Sequence, residues 1–310
     1  MTSTNVLAEE AEAKKLVLTG ECVAFVGAGV SIPPGKNWSD TVRCVATRCG
    51  IPIEGNMSLP EIIDKCLDKD EVTCNQACRE LFPRHIASSR PATSYLLRLP
   101  FKAILTTNFD PWLQQHSRRE SYQRCHIYPD LPLHYGLKDG IYYLHGYFDS
   151  ENMHATVRAL VFGEQSFREA YDSSLLPGFL LNVFTYETVL FVGVDPTEQY
   201  LSKLLQQSIG IRKRIASDHI TTSVPPKRFI LWPTPIGTSP EQHAQENAAI
   251  SAIRSLEITP ILYDRKKSDY RGLEELLFSW IREGDLKNRP APFKTGFDLG
   301  HDGQPEEERL

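Results

Sequence analysis

The chain has 310 residues, of which 41% are hydrophobic and 24% are charged, with a formal net charge of −5 and a pI of about 6.0. This length is enough to bury a large core, in one large domain or two small ones. The charge balance carries no global basic signature of direct nucleic-acid binding. No apolar run approaches membrane-spanning length, and the N-terminus lacks the apolar core of a signal peptide. Seven cysteines, an odd number, fit a reducing compartment better than a disulfide scaffold, so we expect a cytoplasmic protein.

In chain order, the pattern of apolar residues predicts strands that alternate with helices. A helix is predicted over residues 5–18, a strand over 22–27, and a mostly helical block over 38–98. The later predicted elements are strands at 101–107, near 124–128, 141–144 and 158–162, 188–193, 229–232 and 257–263, and helices from Pro111, at 164–186, 197–209, 240–254 and 270–283. This alternation predicts an α/β fold, a Rossmann-like doubly wound parallel sheet, with the 38–98 block as a small helical insertion lobe.

Two segments are predicted to lack regular structure. Residues 211–228 are basic and contain prolines, which indicates a solvated loop, the alternative being a contact with an acidic partner or nucleic acid. Residues 284–310 are rich in proline, glycine and charge, which is typical of a flexible C-terminal tail. The alternative for this tail is docking onto a partner through Phe293 and Phe297.

The apolar run of residues 23–31 ends in Gly27-Ala28-Gly29. A buried strand that enters a phosphate-binding loop has this form, because glycine adopts positive φ and lets backbone N–H groups approach a pyrophosphate. The match to a dinucleotide fingerprint is partial, since a third glycine is absent at the usual spacing and Pro33-Pro34 interrupt a directly following helix. A tight turn without a ligand has the same form.

Two further predicted strands end in polar side chains. Residues 104–110 run from an apolar strand into a corner that contains Asn108 and Asp110, and residues 142–146 end in His145 and a glycine. In open α/β sheets, ligands bind at the carboxyl ends of the strands. Taken singly, an asparagine or histidine in such a place is more often a turn former or a satisfied hydrogen-bonding group. Three such ends together favour a ligand site.

These three motifs resemble the sirtuin (silent information regulator) superfamily, and most closely the bacterial sirtuin-like NADase branch of anti-phage defence systems. The similarity extends over about residues 15–283, and includes a tryptophan, Trp38, ahead of the first lobe helix. The resemblance implies that residues 1–283 form a sirtuin-like NAD-binding catalytic domain, followed by the tail at 284–310.

The chain also departs from the protein-deacylating sirtuins. Those enzymes carry a zinc ribbon of two Cys-x-x-Cys pairs after the histidine, whereas every cysteine of this chain precedes His145 and none forms such a pair. Cys74 and Cys78, with His85 nearby, form at most half of a metal site, so buried or helix-surface thiols are the better interpretation and no metal is expected. The Asp-Phe-Arg of the deacylases has no equivalent after Ser31. Both differences count against deacylation of an acyl-lysine peptide.

The resemblance implies NAD⁺ as substrate, with Asn108 and His145 as the catalytic residues. The amide of Asn108 both donates and accepts, which suits it to hold the attacking water or the ribose hydroxyls. His145 is suited to be the base, since the unperturbed pKa of imidazole is close to neutral. Asp110 is expected to fix the corner around Asn108 rather than to react.

A second set of residues is predicted to bind NAD⁺. The glycine turn is expected to hold the pyrophosphate, and the Ser31 hydroxyl to add a donor. Asp195 has two open interpretations: it accepts from the adenosine ribose, or it caps the helix at 197–209. The predicted NAD⁺-binding residues are Gly27, Ala28, Gly29, Ser31, Thr107, Asp110, Gly193 and Asp195.

Three functions remain open from the sequence. The first is an NAD⁺ glycohydrolase that depletes NAD⁺ as a defence effector, as a homo-oligomer controlled by a separately encoded sensor such as a HerA-like ATPase or a short Argonaute protein. The second is an NAD⁺-dependent deacylase or ADP-ribosyltransferase, against which the missing zinc ribbon counts. The third is a non-catalytic module that senses NAD⁺ or ADP-ribose, which has no need of both Asn108 and His145.

Overall fold

The structure is a computed structural model. It describes residues 3–31, 38–53, 57–82, 91–117, 124–132, 136–149, 152, 155–217, 226–234, 239–264 and 271–287. The strands are β1 (Cys22–Val26), β2 (Ala103–Thr106), β3 (Cys125–Ile127), β4 (Ile141–Tyr143), β5 (Thr188–Val192), β6 (Arg228–Pro233) and β7 (Thr259–Tyr263). The helices are α1 (Ser3–Leu18), α2 (Trp38–Cys49), α3 (Leu59–Leu81), α4 (Pro91–Arg98), α5 (Trp112–Ser117), α6 (Glu164–Asp172), α7 (Leu176–Tyr186), α8 (Gln199–Ser217), α9 (Pro240–Ser255) and α10 (Arg271–Lys287).

The seven strands form one sheet in the order β3-β4-β2-β1-β5-β6-β7, and every pairing in it is parallel. The predicted Rossmann-like parallel sheet is therefore confirmed. β1 lies between β2 and β5, with Phe25 in register with Leu105 on one side and Phe191 on the other. The chain builds the sheet outward from β1 to β3 and then returns to β5, so the strand order reverses between β1 and β5. Ligands of open α/β sheets bind in the crevice at such a reversal.

The strand residues alternate between two hydrophobic clusters, one on each face of the sheet. In β1, Ala24 and Val26 belong to the first cluster, with α1, α4 and α10, whereas Val23 and Phe25 belong to the second, with α7 and α8. A strand that is buried on both faces has this period of two. Each fully buried Val or Phe stabilises the fold by about 1.5–3 kcal/mol relative to an exposed one.

A third hydrophobic cluster forms the core of the small helical lobe. α2 and α3 pack on each other, and their buried faces meet Phe109 and Phe162 from the sheet domain. α4 packs elsewhere, because its Leu96 and Leu97 lie in the first cluster of the sheet and the helix contacts α5 and α10. The predicted insertion at 38–98 is therefore divided, with α2 and α3 in the lobe and α4 on the sheet.

The strand predicted over 158–162 is wrong. Val157–Ala159 form a short 3₁₀ turn, and the residues after it are in turns. Leu160 and Phe162 pack in the lobe cluster and Val161 packs in the second cluster of the sheet. The segment is apolar because it is buried between lobe and sheet, and this gives it the composition of a strand without strand pairing.

The two segments predicted to be irregular contain regular structure at their borders. In the 211–228 segment, α8 continues to Ser217 and Arg228 begins β6, where its buried guanidinium donates to the carbonyl oxygens of Phe184 and Leu256. The remainder of that prediction falls mainly on residues 218–225, which lie outside the described residues. α10 runs to Lys287, past the predicted start of the tail, and residues 288–310 lie outside the described residues. None of the helices that the structure describes combines the length and apolar character needed to cross a membrane.

Candidate active site at the carboxyl edge of the sheet

The loops that carry the predicted site residues meet at one edge of the sheet. Ser31 follows β1, Asn108 and Asp110 follow β2, His145 follows β4, and Gly193 directly follows β5. Because β4, β2, β1 and β5 are consecutive neighbours in a parallel sheet, their carboxyl ends lie side by side. The structure thus brings residues from four distant parts of the sequence to the edge where the strand order reverses.

Three glycines pack the loop after β1 directly against the loop after β5. A Cβ on Gly27 would lie 2.5 Å from the carbonyl oxygen of Gly193, and a Cβ on Gly29 would lie 2.7 Å from the Cα of Gly193. Gly193 has a φ of +65°, whereas Gly27 has a φ of −116° and the φ of Gly29 is not positive. The expected positive φ at Gly27 and Gly29 is therefore wrong. These two glycines are needed because two backbones approach closely, and the left-handed conformation occurs at Gly193.

Most backbone N–H groups of the glycine turn donate within the protein. Those of Gly27, Gly29, Val30 and Ser31 donate to backbone carbonyl oxygens at 2.9–3.3 Å. In this conformation, four of the five backbone N–H groups of residues 27–31 donate within the protein, so the turn is not the predicted cradle of several free N–H groups.

Asn108 is a buried side chain with one fixed end and one unpaired end. Its Nδ2 donates to Oγ of Ser31 at 2.9 Å, and its backbone N–H donates to the hydroxyl oxygen of Thr106 at 3.1 Å. Its Oδ1 is buried and has no hydrogen-bond partner within the described residues. A buried acceptor left in this state costs about 1–3 kcal/mol. Asn108 thus presents an oriented amide oxygen to which a water or a ligand hydroxyl can donate.

Asp110 completes a chain of three hydrogen-bonded side chains. The hydroxyl of Ser31, which accepts from Asn108, donates to the Asp110 carboxylate, and the N–H of Trp112 donates to Oδ1 of Asp110 at 3.2 Å. Burial raises the pKa of Asp110 to about 6, and the hydrogen bonds from Ser31 and Trp112 oppose this rise. Asp110 orients Ser31, and Ser31 orients Asn108. The Ser31 hydroxyl, predicted to donate to the pyrophosphate, donates to Asp110 here.

Asp110→Asn is expected to change how stability depends on pH. The pKa of Asp110 is about 6 in the folded chain and about 3.9 in an unfolded chain. Its contribution to stability is therefore full below about pH 4 and is lost as the pH rises through about 6. Over this window the loss is about 3 kcal/mol, since each pKa unit corresponds to about 1.4 kcal/mol.

We therefore expect the difference in free energy of unfolding, Asp110→Asn minus wild type, to rise by about 3 kcal/mol between pH 4 and pH 7. Urea titrations at the two pH values measure it, and the titration of His145 cancels because both proteins contain it. An unchanged difference between the two proteins would contradict the raised pKa.

His145 is held by backbone hydrogen bonding, by neighbouring aromatic rings and by a contact at one ring nitrogen. Its carbonyl oxygen accepts from the N–H of Val161 at 3.0 Å, and Gly146, with a φ of +75°, turns the chain directly after it. Nε2 lies 2.8 Å from the hydroxyl of Tyr171, and the imidazole packs edge-on against Phe167 with ring centroids 5.2 Å apart. The residue is only 7% exposed, and burial lowers its pKa to about 3. His145 is therefore neutral and carries a lone pair at physiological pH.

Residues 102–253 match the family model of the SIR2-like domain. This part of the chain is a SIR2-like domain. The match runs from β2 to α9 and contains Asn108, Asp110, His145 and Gly193, whereas the glycine turn after β1 precedes it. No curated protein matches the chain. SIR2-like domains use NAD⁺, and the members of this family are NAD⁺-dependent enzymes.

Two of the predicted NAD⁺-binding residues of this SIR2-like protein make local contacts. The N–H of Thr107 donates to the carbonyl oxygen of Val26 at 3.3 Å, which continues the pairing of β2 with β1. Asp195 is exposed, and its Oδ1 accepts from the N–H and the hydroxyl of Thr197 at 2.9 and 2.6 Å. Asp195 forms the turn ahead of α8, which begins at Gln199, rather than its N-cap. Its contact with the adenosine ribose stays a prediction.

Two tyrosines at the SIR2-like site have roles that the sequence pattern does not reveal. Tyr171 on α6 and Tyr200 on α8 stack with ring centroids 5.0 Å apart, and Phe167 on α6 stacks with both. Phe167 and Tyr171 are four positions apart on a predicted helix, which places them on one face. No comparable signal in the sequence connects Tyr200 to them.

The cysteines of the lobe are packing residues. Cys66, Cys74 and Cys78 are fully buried in the core of the lobe. Burial raises the pKa of Cys66, and the hydrogen bond with Cys74 together with burial raises the pKa of Cys78, so both thiols stay protonated. In the part of the chain that the structure describes, no group of three or more ligating side chains is placed to hold a metal ion. His85, considered with Cys74 and Cys78, lies outside that part.

Proposed function

We propose that this SIR2-like protein is an NAD⁺ glycohydrolase, which cleaves NAD⁺ into nicotinamide and ADP-ribose. The proposal rests on Asn108, whose amide is fixed through Nδ2 by Ser31 and whose buried Oδ1 meets no donor among the described residues. A water or ribose hydroxyl that donates to Oδ1 removes the cost of this unpaired acceptor. The same edge of the sheet carries His145, a buried neutral imidazole. A fixed acceptor and a proton acceptor after neighbouring strands suit the activation of water.

The chemistry of the bond explains why these two groups are sufficient. When the bond between nicotinamide and ribose breaks, positive charge develops on the ribose, and nicotinamide leaves as a neutral molecule. No general acid is required. In the proposed reaction, Oδ1 of Asn108 accepts a hydrogen bond from one O–H of the attacking water. The water oxygen bonds to the ribose carbon as the bond to nicotinamide breaks, and His145 takes up the proton of the other O–H. Because burial makes His145 a weaker base than an exposed imidazole, the orientation of the water supplies much of the rate gain.

We further propose that the protein depletes NAD⁺ in the cytoplasm as the effector of an anti-phage defence system. The support is the resemblance of its three motifs to the bacterial defence branch of the sirtuin-like proteins. An NADase that is always active harms its own cell, so the proposal includes a homo-oligomer controlled by a separately encoded sensor. A HerA-like ATPase or a short Argonaute protein is the kind of sensor we expect.

Chromatography of NAD⁺ incubated with the purified protein tests the proposed reaction. We expect nicotinamide and ADP-ribose in equal amounts, and loss of both products in Asn108→Ala. Asn247→Ala, which removes the same side chain from an exposed position on α9, is the matched control and is expected to retain full activity. Absence of both turnover and NAD⁺ binding in calorimetry would overturn the assignment, whereas binding without turnover would indicate an enzyme held inactive until its sensor acts.

A further inference from the structure

The proposed base meets a tyrosine hydroxyl at one of its two ring nitrogens. Nε2 of His145 and the hydroxyl of Tyr171 are 2.8 Å apart, which is the distance of a well-formed hydrogen bond. Burial raises the pKa of the Tyr171 phenol, with Glu198 and Tyr200 adding to the rise, so this hydroxyl stays protonated and neutral. The contact therefore joins two neutral groups in a partly buried place, where a hydrogen bond is electrostatically stronger than in water.

The ring of Tyr171 is itself held in a stack of aromatic side chains. It lies nearly parallel to Phe167, at 15° and 5.9 Å, and to Tyr200, at 30° and 5.0 Å. The plane of the His145 imidazole is nearly perpendicular to those of Phe167 and Tyr171, at 78° and 81°. Since neighbouring rings fix the plane of Tyr171, they also fix the direction in which its hydroxyl points.

The helix that carries Tyr171 is anchored to the lobe. The Asp64 carboxylate, on α3, accepts from the N–H of Gln165 at 3.1 Å in the first turn of α6. Gly163 directly precedes α6, and a Cβ there would lie 1.8 Å from Oδ1 of Asp64. A carboxylate at the start of a helix is stabilising because it accepts from the free N–H groups and complements the helix dipole. α6 thus has a fixed position relative to the lobe, and so does Tyr171.

We propose that Tyr171 is a positioning residue for His145. This inference rests on the proposed function, which requires a lone pair of His145 to accept a proton from the attacking water. Because Nε2 is engaged with Tyr171, that lone pair is on Nδ1, and the proton of the neutral imidazole is on Nε2 and is donated to the Tyr171 oxygen. When Nδ1 takes up a proton, the Nε2–H bond to Tyr171 is kept and stabilises the imidazolium.

Removal of the Tyr171 hydroxyl tests this role. Tyr171→Phe is expected to lower kcat for NAD⁺ cleavage by about 10- to 100-fold, by analogy with the loss of hydrogen-bond partners that orient metal-ligating histidines, with KM changed less than about threefold. Tyr186→Phe, the same change at an exposed position on α7, is the matched control and is expected to match the wild type. An unchanged or raised kcat in Tyr171→Phe would overturn the proposal, and a raised one would identify the hydroxyl as a block on the base.

The tautomer of His145 gives a readout that does not depend on turnover. In ¹⁵N spectra of the wild-type protein, with the His145 signals assigned by their loss in His145→Gln, we expect a single tautomer protonated at Nε2. An Nδ1-protonated tautomer, or rapid exchange between the two, would overturn the positioning role. If the wild type shows the expected tautomer but neither binds nor cleaves NAD⁺, the proposed function fails and the contact with Tyr171 stands.

Discussion

His145→Ala is expected to lower kcat for NAD⁺ cleavage by about 10²–10⁴-fold, the usual contribution of a positioned general base. The variant removes the group that takes up the proton of the attacking water, but it leaves Asn108, Ser31 and Asp110 in their hydrogen-bonded chain. KM is therefore expected to change only a few-fold. Steady-state kinetics with NAD⁺, followed by release of nicotinamide, separate the two parameters.

The control for this variant is another histidine on the same protein. His243 is exposed on α9 and lies 3.9 Å from Glu246, so His243→Ala makes the same truncation away from the site. It is expected to leave kcat and KM unchanged. A loss of less than about tenfold in His145→Ala, with the protein folded by circular dichroism, would remove His145 from the proposed mechanism.

Gly193→Ala is expected to lower the free energy of unfolding by about 2–5 kcal/mol. Gly193 has a φ of +65°, which costs a residue with a Cβ about 1–2 kcal/mol. The new Cβ would also lie 2.8 Å from the backbone N of Val30 and 2.9 Å from Gly29. These neighbours are backbone atoms, which relieve overpacking less readily than flexible side chains, and overpacking typically costs about 1–3 kcal/mol. Urea denaturation at neutral pH measures the sum.

Gly210→Ala is the matched control for this substitution. Gly210 lies inside α8, and an added Cβ there meets nothing within 4 Å. Because alanine favours a helix interior over glycine, this variant is expected to gain about 0.5–1 kcal/mol. Equal effects of the two substitutions would show that the loops after β1 and β5 are not packed as closely as Gly27, Gly29 and Gly193 indicate.

The sheet and the edge of the site could be predicted because both depend on local sequence. A strand buried on both faces is apolar throughout, and a polar residue such as Asn108 or His145 immediately after it marks the point where the strand leaves the core. The order of the strands then places these ends together. The same reasoning misassigned residues 158–162, because burial between the lobe and the sheet produces the composition of a strand without its hydrogen bonds.

The contacts that orient the site residues could not be predicted, because they join positions far apart in the sequence. Ser31 meets Asn108 across 77 positions, and Gln165 meets Asp64 across 101. The glycine turn illustrates the limit well. Its composition indicates a close approach of backbones, but the partner that approaches is Gly193, and this becomes visible only once β1 and β5 are side by side.

Phe109 couples the packing of the lobe to the loop that carries Asn108. It lies between Asn108 and Asp110, yet its ring belongs to the lobe cluster, where it packs on Trp38 and Phe162 with centroids 5.6 and 4.9 Å away. Local unfolding of α2 or α3 therefore exposes Phe109 and releases the backbone on both sides of it. Deletion or opening of the lobe is therefore not expected to leave the loop that carries Asn108 in its folded conformation. Local unfolding of the lobe is therefore expected to remove the fixed orientation of the Asn108 amide as well.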